Sequence, residues 1–428
     1  MLDIKLFREN PDLIKKSEKK RFKDTKNVDK VIEYDKKWRN VVAEVQNLKH
    51  KQNKVSKEIV EFKNKGKEKE KKTKVKLMKD LVNKLGLLEE KEKKLLKKRD
   101  EYRYKVGNIL HDSVPVAETD EGNQVVKEHG KIPKFDFKPK AHADLIEDLN
   151  IADIEKASEV SGSRFYYLKN EGVLLNLALI NLAFEKCIQH GFAPMWTPFL
   201  LRKKYMEKAA ELADLNEQLY EIKNEDLYLI ASAEQTLASF HANEVLNEKE
   251  LPKKYVGFST SFRREAGSHG KDTKGIFRVH QFDKVEQYVL CKPENSWKWH
   301  EKMIKIHEEI YKELKLPYRI VTLASGDTND NSAKTYDLEL WFPNQKKYRE
   351  IGSGSNTTDY QARKTNIKVG KYGGEKEILH TLNCTAVATQ RTICAILENF
   401  QQKDGSVKIP TTLQKYIQIK KLVPKNEK

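Results

Sequence analysis

Between residues 28 and 110 the apolar positions recur at alternating spacings of three and four. Val31, Tyr34, Trp38, Val41, Val45, Leu48, Gln52, Val55, Ile59 and Phe62 form one stripe, interrupted only at Gln52. Met78, Leu81, Leu85, Leu88, Glu92, Leu95, Arg99, Tyr102, Val106 and Ile109 form a second, interrupted at Glu92 and Arg99. Sustained 3-4 spacing predicts helices packed along a coiled-coil seam. The polar run KNKGKEKEKKTK (Lys63–Lys74) with Gly66 separates the stripes and reads as the turn of an antiparallel hairpin. Folding back there pairs Phe62 with Met78, Gln52 with Leu88, Leu48 with Glu92, Trp38 with Tyr102 and Val31 with Ile109. At a rise of 1.5 Å per residue, such an arm is about 50 Å long.

The pattern changes at HDSVPV, and residues 112–160 read as a polar connector with prolines and strand-like pieces. From residue 161 onward, helical and β-rich runs alternate. VLLNLALINLAFEKCIQH predicts a buried helix, and GFAPMWTPFLL an extended segment. LYLIASAEQ, KYVGFSTSFRRE, RVHQFDKVEQYVL, YRIVTLA, TYDLELWF and ILHTLNCTAVAT predict strands at hairpin-length separations. The expected class is α+β: a helical hairpin followed by a mainly antiparallel sheet flanked by helices.

Charge sharpens this picture. The net charge is +18, and residues 61–105 hold 18 Lys and Arg against 9 Asp and Glu. Half of the excess thus lies in one hairpin, which suits either a solvated surface or a polyanionic partner whose counterions lysines displace. Cys187, Cys291, Cys384 and Cys394 lack metal-ligand spacing and read as free thiols. The start, MLDIKLFRENPDLIKK, resembles neither a signal peptide nor a transit peptide, and no apolar run is long enough to span a membrane; a cytoplasmic protein is expected. No dinucleotide or P-loop glycine motif occurs.

The densest candidate chemistry is FRREAGSHGKDTKGIFRVHQFDKVEQ, Phe262–Gln287. Strand alternation places Arg263 and Glu265 on one face, and Arg278, His280, Phe282, Lys284 and Glu286 on one face. An arginine can clamp a phosphate, a phenylalanine can stack a base, and a glutamate can pair with an ammonium. The intervening AGSHGKDTKGI is a cationic loop suited to phosphates.

This stretch resembles motif 2 of the class II aminoacyl-tRNA synthetases (about 258–290), and nearly the whole chain resembles the seryl-tRNA synthetases of the eukaryotic cytosolic type. GFAPMWTPFL (Gly191–Leu200) is similar to motif 1, and TLNCTAVATQRTICAILENFQ to motif 3 (about 379–401). YREIGSGSNTTDYQARK and IASAEQT are similar to signatures of the seryl enzymes. The resemblance implies a tRNA-binding domain at 1–111, the connector at 112–160 and a class II catalytic domain at 161–428. It implies a serine–tRNA ligase that forms seryl-adenylate from serine and ATP with Mg2+ and charges tRNA-Ser. It leaves open the tRNA for selenocysteine as a second substrate.

Arg263 and Arg391 are the implied catalytic residues, the first at the α-phosphate. Arg263, Arg264, Glu265, Arg278, Val279, His280, Gln281, Phe282, Glu350, Ile351, Gly352, Ser353 and Arg391 are the implied ATP residues, with Phe282 and Arg391 sandwiching the adenine. Glu350 and Ser353 are the implied magnesium ligands, and no zinc is expected. Ser232, Glu234, Arg263, Glu286, Asn383 and Thr385 are implied to bind serine. The resemblance also implies a homodimer built around motif 1 and an arm that grips tRNA. Arg264, Ser232, Gly352 and Gly354 depart from residues usual in the family, and motif 3 lacks glycines common among its members. A catalytically silent, RNA-binding relative is the competing reading; it would have lost Arg263, Glu286 or Arg391, and all three are present.

Overall fold

The computed structural model describes residues 1–210, 217–266, 272, 274–371 and 374–425. The chain forms two compact units: Leu2–Lys19 with Lys23–Gly107, and Met1 with Lys20–Phe22 and Asn108–Lys428.

In the smaller unit, α1 (Ile4–Glu9) and α2 (Pro11–Lys20) precede the long helices α3 (Lys26–Asn64) and α4 (Glu68–Arg103). Asp3 caps α1 by accepting from the Lys5 N–H at 2.8 Å. Along α3 the seam residues Val31, Val41, Val45 and Val55 are buried. Along α4, Leu81, Leu85, Leu88 and Leu95 are half-buried, while Val82 and Leu87, which lie off the seam, are exposed.

The hairpin register differs from expectation by about one helical turn. Tyr102 stacks on Tyr34, with ring centroids 5.5 Å apart, and Trp38 instead lies under the Arg99 guanidinium at 5.0 Å. The cause is the turn. Both helices run into the polar segment, leaving only Lys65–Lys67 between them, with Gly66 at φ +67°. A shorter turn moves every partner along the seam. Since α4 ends at Arg103, the expected Val31–Ile109 pair falls beyond its end. The seam also holds a buried carboxylate, Asp35, which takes Arg8 at 2.8 Å, Arg39 at 3.0 Å and the buried Arg99 at 3.3 Å.

The larger unit is built on an eight-stranded sheet. In chain order its strands are β1 (Gln124–His129), β2 (Ala193–Trp196), β3 (Lys253–Phe262), β4 (Gln281–Cys291), β5 (Tyr318–Thr322), β6 (Lys334–Phe342), β7 (Lys347–Asn356) and β8 (His380–Ala388). Their spatial order is β1-β5-β6-β7-β8-β4-β3-β2. All neighbours are antiparallel except β2 and β3, which run parallel. Strand β1 comes from the 112–160 stretch, so that stretch supplies a sheet edge.

Alternation is clearest in β6, where Leu338, Leu340 and Phe342 are buried and Asp337, Glu339 and Trp341 less so. β8 is central and buried from Thr381 to Ala388, as expected for a strand covered on both faces. Helices Glu171–Gln189, Ser296–Glu313 and Thr389–Phe400 contribute Leu179, Leu182, Met303, Ile310, Ile393 and Leu397 to one apolar core with the sheet.

Several strand predictions overran, two of them at the site. LYLIASAEQ is a strand only at Leu227–Leu229; Ser232 then caps a helix, Ala233–Phe240, by accepting from the Glu234 N–H at 3.3 Å. A capping side chain here overrides the β-like composition. RVHQFDKVEQYVL is a strand only from Gln281, so Arg278 and His280 precede it.

Candidate functional site

A cavity of about 430 Å³ opens over β4, β7 and β8. Ser232, Glu234, Arg263, Glu265, Arg278, Glu350, Ser353, Asn383 and Arg391, all anticipated from the sequence, line it. A second, smaller cavity shares Glu265, Arg278 and Arg391 and adds Phe277, Val279, Phe282, Ala388 and Gln390.

The arginines are held by the scaffold. β3 ends at Phe262, so Arg263 and Glu265 reach the cavity from the residues after the strand rather than by alternation along it. The Arg263 N–H donates to the His280 carbonyl at 2.9 Å, its Nε donates to the Ala231 carbonyl at 3.3 Å, and its guanidinium lies 5.1 Å from the Phe282 ring centre. Arg278 pairs with Glu265 at 2.9 Å. Arg391, in the first turn of its helix, pairs with Glu350 at 2.9 Å and stacks over Phe277 at 5.2 Å. Burial opposes the charge on Arg391, but the Glu350 carboxylate outweighs it and raises the guanidinium pKa further. Desolvation works to raise the pKa of Glu350, whose side chain is still 45% exposed, but Arg391, Arg263 and Lys284 together bring it below the usual carboxylate range.

Glu286 lines neither cavity; it is 1% exposed and pairs at 2.6 Å with Lys284, which does line the main one. Burial raises its carboxyl pKa, with Lys284 and Arg263 pulling the other way. Thr385 faces Glu286 across the β4–β8 ladder, and its buried hydroxyl has no hydrogen-bond partner among the described residues. Glu234 is fixed by a buried relay: the Tyr288 hydroxyl donates to Gln361 Oε1 at 2.6 Å, and Gln361 Nε2 donates to Glu234 at 3.0 Å.

The two glycines of GSG are required by packing. A Cβ on Gly352 would come within 2.6 Å of the Thr385 Cβ, and one on Gly354 within 2.5 Å of the Ile304 Cδ1. A serine or cysteine at either position would therefore displace its neighbours.

Seven anticipated residues line neither cavity: Glu286, Thr385 and Gly352, described above, and four others. Arg264 is exposed and lines neither cavity; its backbone N–H donates to the Gln218 carbonyl at 2.9 Å. His280 turns from both cavities, its Nδ1 2.8 Å from the Arg263 carbonyl and its ring 5.3 Å from Phe165. Gln281 is exposed, and Ile351 is a core residue at 1% exposure. The anticipated loop residues 267–271 and 273 lie outside the described residues.

Sequence reasoning missed Gln218, Gln235, Asn329 and Ser355 at the main cavity, and Phe277 and Gln390 at the smaller one. It placed Lys284 on the Glu286 face without assigning it to the site. Asn329, by contrast, arrives from a distant loop for which local pattern offers no signal.

Comparison with known proteins places this geometry in context. Residues 1–110 match the seryl-tRNA synthetase N-terminal domain, and residues 219–400 match the tRNA synthetase class II core domain (G, H, P, S and T). The chain is 51% identical over 424 residues to a serine--tRNA ligase of Methanosphaera stadtmanae, covering 99% of both chains. The structure matches a seryl-tRNA synthetase from Pyrococcus horikoshii complexed with ATP, with a TM-score of 0.94, 44% identity and complete coverage of both chains. A cytoplasmic serine-tRNA ligase from Naegleria fowleri in complex with AMP matches with a TM-score of 0.88 and 41% identity, over 100% of this chain and 99% of that one. Two of these three relatives are archaeal, alongside the eukaryotic type that the sequence motifs resemble.

Proposed function

The chain belongs to the seryl-tRNA synthetase family, and on that premise we propose that it is a serine–tRNA ligase whose two adjoining cavities bind serine and ATP. It joins serine to the α-phosphate of ATP, releasing pyrophosphate, and then transfers the seryl group to the 3′-terminal adenosine of tRNA-Ser. The observation that carries this reading is one polar cavity holding Ser232, Glu234 and Asn383 together with Arg263, Glu350 and Arg391. Arginines for a nucleotide and small polar groups for an amino acid meet there.

Adenine takes the smaller cavity, between Phe282 and Arg391. Arg263 contacts the α-phosphate, and its interaction strengthens as charge grows on the pentacoordinate phosphorus. Arg278 reaches the outer phosphates, and Glu265 contacts the nucleotide. Glu350 and Ser353 offer hard oxygen donors to the same cavity, so they suit magnesium. When bound, that ion neutralises phosphate charge. Glu286 pairs with the ammonium of serine, while Thr385, Ser232, Glu234 and Asn383 provide the polar surroundings. The catalytic power lies in positioning and charge neutralisation rather than in a general base.

Alanine is rejected because it would leave these polar groups unpaired, whereas threonine is excluded by size, at about 1–3 kcal/mol per methyl group. The silent-relative reading gains no support, since Arg263 and Arg391 line the cavity and Glu286 pairs with Lys284 on its wall.

Three further parts of the proposal rest on the surface. The lysine-rich hairpin binds the backbone of tRNA-Ser. The chain forms a homodimer built around motif 1, where Trp196 is 72% exposed. The protein works in the cytoplasm; among the described residues no helix is long and apolar enough to cross a membrane.

ATP–pyrophosphate exchange tests the central reading. Serine supports exchange, and threonine, alanine and phenylalanine do not. A folded protein that exchanges with none of the four overturns it.

A further inference from the structure

The loop between β5 and β6, SGDTNDNSA (Ser325–Ala333), brings Asn329 to the wall of the main cavity. This loop is not held by its own strands alone. Arg21, which is 4% exposed, aims its guanidinium at the loop backbone. It donates to the carbonyls of Thr328 at 2.9 Å, Asn329 at 3.0 Å and Ser332 at 2.6 Å, and to the Asn108 carbonyl at 3.0 Å. Asn108 extends the clamp: its N–H donates to the Asp330 carbonyl at 2.8 Å, and its Nδ2 to the carbonyls of Asn331 at 3.0 Å and Thr357 at 2.8 Å. Lys364 adds a bond to Asn331 Oδ1 at 2.9 Å.

A buried guanidinium against carbonyl oxygens is costly unless each N–H has an acceptor, so this geometry tolerates little movement of the loop. Within the loop, Asn329 Oδ1 accepts from the Ser332 N–H at 3.1 Å. That bond turns the amide so that its NH2 group is the part with capacity for a ligand.

We propose that Asn329 is a binding residue of the serine pocket, donating to an oxygen of the amino acid, and that Arg21 is the positioning residue that fixes it. The inference rests on the reading of this cavity as the serine site. It ties a residue at the start of the chain to a pocket wall about 300 positions later. Lysine cannot replace Arg21 in this role, because a single ammonium does not span the fork of carbonyls.

The test is serine-dependent ATP–pyrophosphate exchange on the full chain, with serine and ATP titrated separately. Asn329→Ala raises the serine KM about tenfold while kcat and the ATP KM hold within about twofold. Arg21→Lys raises the serine KM in the same direction, by about threefold or more, and the double variant is no worse than the weaker-binding single one. An unchanged serine KM in Asn329→Ala overturns the proposal, as do additive effects in the double variant. If Arg21→Lys fails to fold, Asn329→Ala alone decides, since its side chain is exposed. Wild-type protein without serine-dependent exchange defeats the ligase reading instead, so the two failures are distinguishable.

Discussion

Lysine–glutamate pairs occur in both units of this protein, and their surroundings differ sharply. In the hairpin, Lys49 meets Glu89 at 2.8 Å with side chains 54% and 40% exposed. In the catalytic unit, Lys284 meets Glu286 at 2.6 Å with side chains 11% and 1% exposed. The first pair gains little because water and salt screen it, so hairpin charge remains available to an external polyanion. The second is desolvated, so each partner depends on the other, and Glu286 also on nearby Arg263. On the proposed function, surface charge serves association with tRNA, and buried charge serves placement.

Arg391→Ala gives the largest expected break in that contrast. It removes a half-buried guanidinium, leaves Glu350 without its closest cation and lowers kcat/KM for serine-dependent exchange roughly a thousandfold. Retention of tRNA-Ser in a filter-binding assay stays within about twofold of wild type, because the hairpin is untouched. A loss of tRNA affinity matching the loss of exchange would break the division between the two regions.

The next effect is on stability. Burial holds the His300 imidazole down from 6.5 to about 4, while its Nε2 lies 2.9 Å from the carbonyl of Gly354, a residue of β7. Between those values the unfolded chain takes up a proton that the native imidazole refuses, so native stability falls as the pH drops. The full loss is on the order of 3 kcal/mol by about pH 4. Urea unfolding from pH 7 to pH 4 measures it, and His300→Gln flattens the slope. An unchanged slope in that variant assigns the acid sensitivity to other groups.

The smallest effect is confined to the hairpin tip. Replacing the exposed Lys63, Lys65, Lys67 and Lys69 by glutamine weakens tRNA-Ser binding about tenfold and reduces its salt dependence. Exchange and thermal stability are unchanged. A drop in exchange without tRNA would show that these charges serve the catalytic unit as well.

Much of this organisation is readable from residue order, for identifiable reasons. A 3-4 stripe of Val31, Val41, Val45 and Val55 needs no tertiary information to be recognised as a helical seam. Its register was not readable, because whether Lys63–Lys74 forms a loop or continues both helices depends on packing along the whole hairpin. Alternation correctly joined Lys284 to Glu286 inside β4 and failed at Arg278 and His280, where the chain has not yet entered the strand. Gly352 and Gly354 looked like departures from pattern, and the space beside Thr385 and Ile304 explains them.

What the chain determines by itself is what repeats or contrasts locally: the helical stripes, the strand-like runs, the concentration of positive charge, and the arginine- and glutamate-bearing motifs that mark the family. Tertiary structure decides which of these groups share one cavity. Ser232, Glu265, Glu350, Asn383 and Arg391 lie far apart in sequence and meet at one cavity because β4, β7 and β8 are hydrogen-bonded neighbours with helices packed on them. Asn329 joins them on a loop whose backbone Arg21 and Asn108 hold from distant parts of the chain. Contacts between distant residues carry no local periodicity, and the ionisation of Glu286, Glu350 and Arg391 follows from burial and neighbours that exist only once the chain has folded.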